Sequence, residues 1–235
     1  MQLSKLENKA YEVLKENQIS VFKIKDLSLL LQIKKIKTYN LIKSLKRKGM
    51  IKSVGKRFLA FKDVNEFILA TGIRYPSYIS FWSALNYYGF SDQMPKKIFL
   101  VTTKYTKEIN NFKYIILSKN KFFGYTKIGG IIIAEKEKAI IDSLLFPKYS
   151  GGIKEIIKCM KVALKEININ KLMDYAIRTE NKAVLRRLGF ILESINYKKS
   201  LNNIKNKIGK GYELLEPSFK KKNNFNKKWL LDINI

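Results

Sequence analysis

The chain has 235 residues, 46% hydrophobic and 12% aromatic, enough to bury a core and too apolar for a disordered chain. It carries 47 Lys and Arg against 19 Asp and Glu, a formal net charge of +28, which favours polyanionic partners. With no His and one Cys, it excludes His-based catalysis, His metal ligands, disulfide frameworks and Cys-rich zinc sites.

Only six of the basic residues are Arg (47, 57, 74, 178, 186, 187), and Lys, Ile and Asn are all abundant. An AT-rich genome produces the same composition, so the charge supports nucleic-acid binding without establishing it. No apolar run approaches the roughly 18 residues of a membrane span; the richest stretch runs from Ile128 to Ala134. Met1 to Ala10 lacks a signal-peptide core, which makes a cytoplasmic location the expectation.

Residues 5–17 place Leu6, Ala10, Val13 and Leu14 at helical spacing, and Ser4 with Glu7 forms a capping-box pattern. Residues 19–22 are short and β-branched, a candidate strand. Leu27 to Leu31 reads as a second helix with Leu27, Leu30 and Leu31 inward. A turn through Gln32 to Lys34 precedes a third helix over residues 35–48, whose apolar positions are Ile36, Leu41, Ile42 and Leu45 and which Gly49 stops. Two β-like runs, 50–54 and 57–61, flank Gly55-Lys56, a hairpin signal.

Helix, strand, helix, turn, helix, glycine and hairpin in this order predict a winged helix-turn-helix over residues 1–62. These residues hold 16 Lys and Arg against 4 Asp and Glu. The N-terminal half of a recognition helix enters the major groove. Lys34, Lys35, Lys37, Thr38, Tyr39, Asn40 and Lys43 fall there, with Thr38, Tyr39 and Asn40 as candidate base readers and the lysines as phosphate contacts. Lys52, Lys56 and Arg57 on the wing would reach the backbone or minor groove.

Residues 63–75 read as a linking helix capped by Asp63, followed by a loop at Gly72 and Pro76, and residues 76–235 as a larger mixed domain. That domain opens with a helix over residues 78–88. Strands follow at 98–102, 114–117 and 131–134, then helices at 136–145, 153–164, 171–177 and 182–195, then strands at 211–215 and 228–233 around the basic loop 220–228. The predicted class is α+β. Phe225 and Trp229 read as core rather than as base-stacking surfaces, and Cys159 as a buried structural thiol.

Enzymatic readings are disfavoured. Neither common phosphate-binding glycine motif is present. Gly151-Gly152 could cradle an anion at a helix start, and Glu135, Glu137 and Asp142 form the densest carboxylate group, too few for a metal nuclease. No catalytic residue, metal site or cofactor is expected.

Five segments together resemble the AbiEi family of antitoxins from type IV toxin–antitoxin and abortive-infection systems. They are the run Lys48-Gly49-Met50-Ile51-Lys52 at the end of the winged helix, Tyr78 to Leu85 with Gly89, Ala134 to Asp142 with Gly151-Gly152, Arg187 to Glu193, and the ending Leu214-Leu215-Glu216-Pro217 with Lys228-Trp229. Ala134-Glu135-Lys136 stands where that family more often has a Ser-Pro-Glu opening. The resemblance implies a winged helix that binds promoter inverted repeats and represses its own operon. It also implies a C-terminal domain that opposes a nucleotidyltransferase toxin without a stable complex. The alternatives are a free-standing winged-helix regulator, a nonspecific DNA-coating protein, or an enzyme that reverses a toxin's modification; the last is disfavoured by the missing catalytic groups.

Overall fold

The computed structural model describes residues 2–197 and 201–235, and the chain divides into two compact units, Met1–Pro76 and Ser77–Ile235. The architecture is α+β. In the first unit, α1 (Lys5–Glu16), α2 (Ile24–Leu31) and α3 (Lys35–Arg47) pack on a three-stranded antiparallel sheet. Its strands β1 (Val21–Phe22), β2 (Ile51–Val54) and β3 (Phe58–Phe61) stand in the order β1-β3-β2. Ala10, Leu14, Leu27, Leu41, Leu45 and Leu59 form the centre of the core. Gly49 leaves α3 at φ +69°, a conformation that costs a side chain energy, and Gly55 turns the β2–β3 hairpin at φ +57°.

One ionic cluster ties α1 to α3. The Ser4 amide donates to Glu7 Oε2 at 2.6 Å and the Glu7 amide donates to Ser4 Oγ in return, the capping box the sequence predicts. The Glu7 carboxylate also accepts from Ser44 Oγ at 2.6 Å and from Lys48 Nζ at 2.6 Å. Chiefly through Lys48, and then Ser44, its carboxyl is held down to about 2 from an ordinary value of 4.5. A depressed folded-state value means the stabilisation is complete above pH 4.5 and is lost as pH falls toward 2. Glu7→Gln should therefore flatten the acid limb. The denaturation midpoint of the first unit, followed by amide exchange of its helices, should drop between about pH 5 and pH 3 in the native chain and change less in the variant.

The helix after β3 differs from expectation. Its cap is Asn65, not Asp63: Asn65 Oδ1 accepts the Phe67 amide at 2.8 Å, and α4 (Glu66–Ile73) runs through Gly72. A Cβ on Gly72 would lie 2.8 Å from Val21 Cβ, so the glycine is what lets α4 sit on β1. The segment expected to link the domains is part of the first unit.

The second unit is built on a mixed six-stranded sheet in the order β6-β7-β5-β4-β9-β8. Its strands are β4 (Ser77–Ile79), β5 (Ile98–Thr102), β6 (Lys107–Ile109), β7 (Phe112–Ile116), β8 (Tyr125–Ile128) and β9 (Ile131–Ala134). The expected helix over 78–88 is shorter: β4 takes Tyr78 and Ile79, and α5 is Phe81–Tyr87. From β9 the chain enters α6 (Lys136–Leu145), buried at every position from Glu137 to Leu144 and packed against α5, α7 (Ile153–Ala163), α8 (Ile169–Arg178) and α9 (Lys182–Ser194).

After α10 (Asn202–Lys205), a small sheet of β10 (Glu213–Leu214), β11 (Phe225–Asn226) and β12 (Leu231–Asp232) closes the chain. The expected basic loop 220–228 thus contains a strand, whose Phe225 is exposed while Trp229 is fully buried. Two arginines of α9 hold this end through backbone carbonyls. Arg187 donates to Leu144, Leu214 and Leu215 oxygens at 2.9 to 3.0 Å, and Arg186 to those of Ile208 and Lys210.

Candidate nucleic-acid interface

The face of α3 opposite its core residues carries the charge. Leu41, Ile42 and Leu45 are buried toward the sheet, as the spacing requires, and Lys35, Lys37, Tyr39, Asn40 and Lys43 are exposed. Lys34 precedes the helix and is exposed too. Its side chain makes no capping bond and the first turn holds no acidic residue. The first-turn amides and the helix dipole favour an anion there. Lys35 Nζ lies 6.0 Å from the Tyr39 ring centroid, and Tyr39 is 49% exposed.

Two residues depart from the sequence reading. Thr38 has no exposure and its hydroxyl donates back to the Lys34 carbonyl at 3.3 Å. It turns inward with Leu41, Ile42 and Leu45, and cannot read a base. Ile36, expected on the core side, is 77% exposed. Ile36, Asn40, Lys43 and Arg47 recur at spacings of four, three and four, so they form one stripe along the outer face. Arg47, exposed at the helix end, belongs with the candidates although the sequence reading omits it; its four-residue spacing from Lys43 is the available signal.

On the hairpin, Lys56 and Arg57 are exposed in the turn and Lys52 is half-buried on β2. Ile33, Lys34, Ile36, Lys37 and Asn40 line an open groove of about 490 Å³ at the start of α3.

The candidate features of the second unit are occupied internally. Glu216 fills the anion cradle at Gly151-Gly152: its Oε2 accepts the Ile153 amide at 2.8 Å, and a Cβ on Gly152 would meet that oxygen at 2.9 Å. Glu135 takes the Tyr175 hydroxyl and the Lys171 ammonium, and Glu137 accepts the Asn168 amide at 2.8 Å. Asp142 belongs to a separate buried cluster with Lys138, Tyr78 and Ser80. Burial pushes the Cys159 thiol up to about 12, far from a nucleophile's range. Among the described residues no group of three or more His, Cys, Asp or Glu is arranged to hold a metal ion, and no helix is long and apolar enough to cross a membrane.

No family model and no curated protein matches the sequence. Among solved structures, the protein RV2827C from Mycobacterium tuberculosis is similar along almost the whole chain. The TM-score is 0.66 over 98% of this chain and 92% of that one, at 10% identity, a likeness of fold.

Proposed function

We propose that the first unit is a winged helix-turn-helix that binds double-stranded DNA, and that the protein is a cytoplasmic transcriptional repressor. One observation carries this reading. The outward face of α3 presents Lys35, Lys37, Tyr39, Asn40 and Lys43 from an uncapped N-terminus, beside a hairpin whose turn presents Lys56 and Arg57. In this reading α3 lies in the major groove, Asn40 pairs with adenine edges, and the lysines and the hairpin hold phosphates.

In this reading the second unit, whose Glu135, Glu137, Asp142 and Glu216 are engaged by internal hydrogen bonds and ion pairs, has a binding or scaffolding role. The AbiEi resemblance adds autoregulation of an operon that also encodes a nucleotidyltransferase toxin. Footprinting on the DNA upstream of its own gene tests this: a protected inverted repeat is expected, and none would remove autoregulation. A second reading, nonspecific coating of DNA, is favoured by the net charge of +28. It predicts a ratio near one between operator and random-duplex affinities, where specific binders typically show about 10³ or more.

The hairpin contributes through charge. Replacing Lys56 and Arg57 together by Gln should weaken binding to every duplex and lower the slope of log affinity against log salt by about 0.9 for each phosphate that is no longer neutralised. An unchanged slope would place the hairpin away from the phosphates.

A further inference from the structure

Ile36 is the anomaly of the proposed DNA face. A large β-branched side chain, 77% exposed, occupies a stripe otherwise made of Asn40, Lys43 and Arg47, with Lys35 and Lys37 on either side. Isolated exposed apolar residues are ordinary on protein surfaces. Here, however, the residue lines the groove at the start of the helix together with Ile33, and its i+4 neighbour is the candidate adenine reader Asn40.

The surrounding cations specify a polyanion, and on the major-groove edge of a DNA duplex the apolar group is the C5-methyl of thymine. Asn40 and Ile36 on one face therefore make a complementary pair: an amide for the N6 and N7 of adenine, and a sec-butyl group for the methyl of a thymine one step away. We propose that Ile36 is a specificity-determining residue that packs on thymine C5-methyl groups and biases α3 toward A·T steps. This rests on the duplex-binding reading above.

Replacing thymine by uracil removes the methyl and leaves phosphates, sugars and hydrogen-bonding edges unchanged. The test compares 24-base-pair alternating dA-dT and dA-dU duplexes, titrated by fluorescence anisotropy against the full chain and against Ile36→Ala at one salt concentration. The native chain should bind the thymine duplex more tightly, by about fourfold for each methyl it covers. Ile36→Ala should bind both duplexes alike, near the native chain's affinity for the uracil duplex, with the same salt slope. Because Ile36 is outside the core, the variant should keep the native circular dichroism. Equal native affinities for the two duplexes would overturn the methyl contact while leaving DNA binding intact. A preference for thymine that persists in Ile36→Ala would overturn the assignment to this residue. Failure to bind either duplex or a mixed-sequence duplex from the upstream region, even at low salt, would instead remove the DNA-binding reading on which the proposal stands.

Discussion

Gly189→Ala is expected to destabilise the second unit by about 3 kcal/mol, although on an exposed helix the same change would stabilise by about 1 kcal/mol. Gly189 lies within α9, and a Cβ there would stand 2.1 Å from Cζ3, 2.3 Å from Cη2 and 2.5 Å from Cε3 of Trp229. The ring cannot retreat. It has no exposure, its Nε1 donates to Glu193 Oε2 at 2.6 Å, and its backbone amide donates to Asn226 Oδ1 at 2.9 Å. Glu193 lies on α9 itself, so moving the indole breaks a bond to the helix that the methyl displaces it from. Trp229→Leu removes most of the obstructing ring at the cost of a cavity. In that background Gly189→Ala should cost little, and denaturant titrations of the native chain, the two single variants and the double variant measure the coupling directly. Additive losses would mean that the helix and indole do not meet.

The elements legible in the sequence are those with a clean local signal. The strands at 98–102 and 131–134 and the helix at 136–145 fall on their expected bounds, because β-branched runs and a helical apolar period do not need tertiary information there. β4 is hidden: Ser77, Tyr78 and Ile79 are all buried, show no alternation, and run into α5 after the single residue Ser80. β6 and β8 are partly or wholly exposed strands, and the exposed side chains of Tyr125–Ile128 leave no buried face to mark them. Gly72, Gly152 and Gly189 are needed for close approaches of other segments, which no local pattern announces.

The candidate face is legible in outline for the same reason. Charge and helical period place Lys35, Tyr39, Asn40 and Lys43 outward, and they are outward. Thr38 misleads because a short polar side chain can satisfy its hydroxyl on the preceding turn, which makes it as suitable for the inside of a helix as for a base edge. Ile36 misleads in the opposite sense: its apolar character suggests the core, whereas its spacing from Leu41 and Leu45 puts it on the far side. In the second unit, no local pattern pairs Glu216 with the cradle at Gly152, since 63 positions separate it in chain order from the Ile153 amide that it accepts.

Asp142→Ala should cost the second unit about 3–5 kcal/mol, more than Lys138→Met at the partner position. The two residues are one turn apart on α6, each 1% exposed. Asp142 takes the Lys138 ammonium on one oxygen and, on the other, hydrogen bonds from the Tyr78 hydroxyl at 3.0 Å and the Ser80 hydroxyl at 2.8 Å. Burial, and then Asp142 itself, push the Tyr78 phenol well above its ordinary range, so it remains a protonated donor. The asymmetry follows from what each truncation leaves behind. Without Lys138 the carboxylate keeps two hydroxyl donors. Without Asp142 the ammonium keeps the Tyr78 oxygen at 3.2 Å and the Phe123 ring at 4.8 Å, neither of which carries a negative charge. Replacing both, as Lys138→Met with Asp142→Leu, removes the buried charges together and should recover only part of the loss, because it avoids the desolvation of the ion pair but takes the acceptor from the buried Tyr78 and Ser80 hydroxyls. Denaturation midpoints in that order would show that Asp142 is the member of the network that ties β4 and Ser80 to α6. If Asp142→Ala melted like the native chain, Lys138 would have to reach solvent or another anion, and the network could not be what holds the sheet against α6.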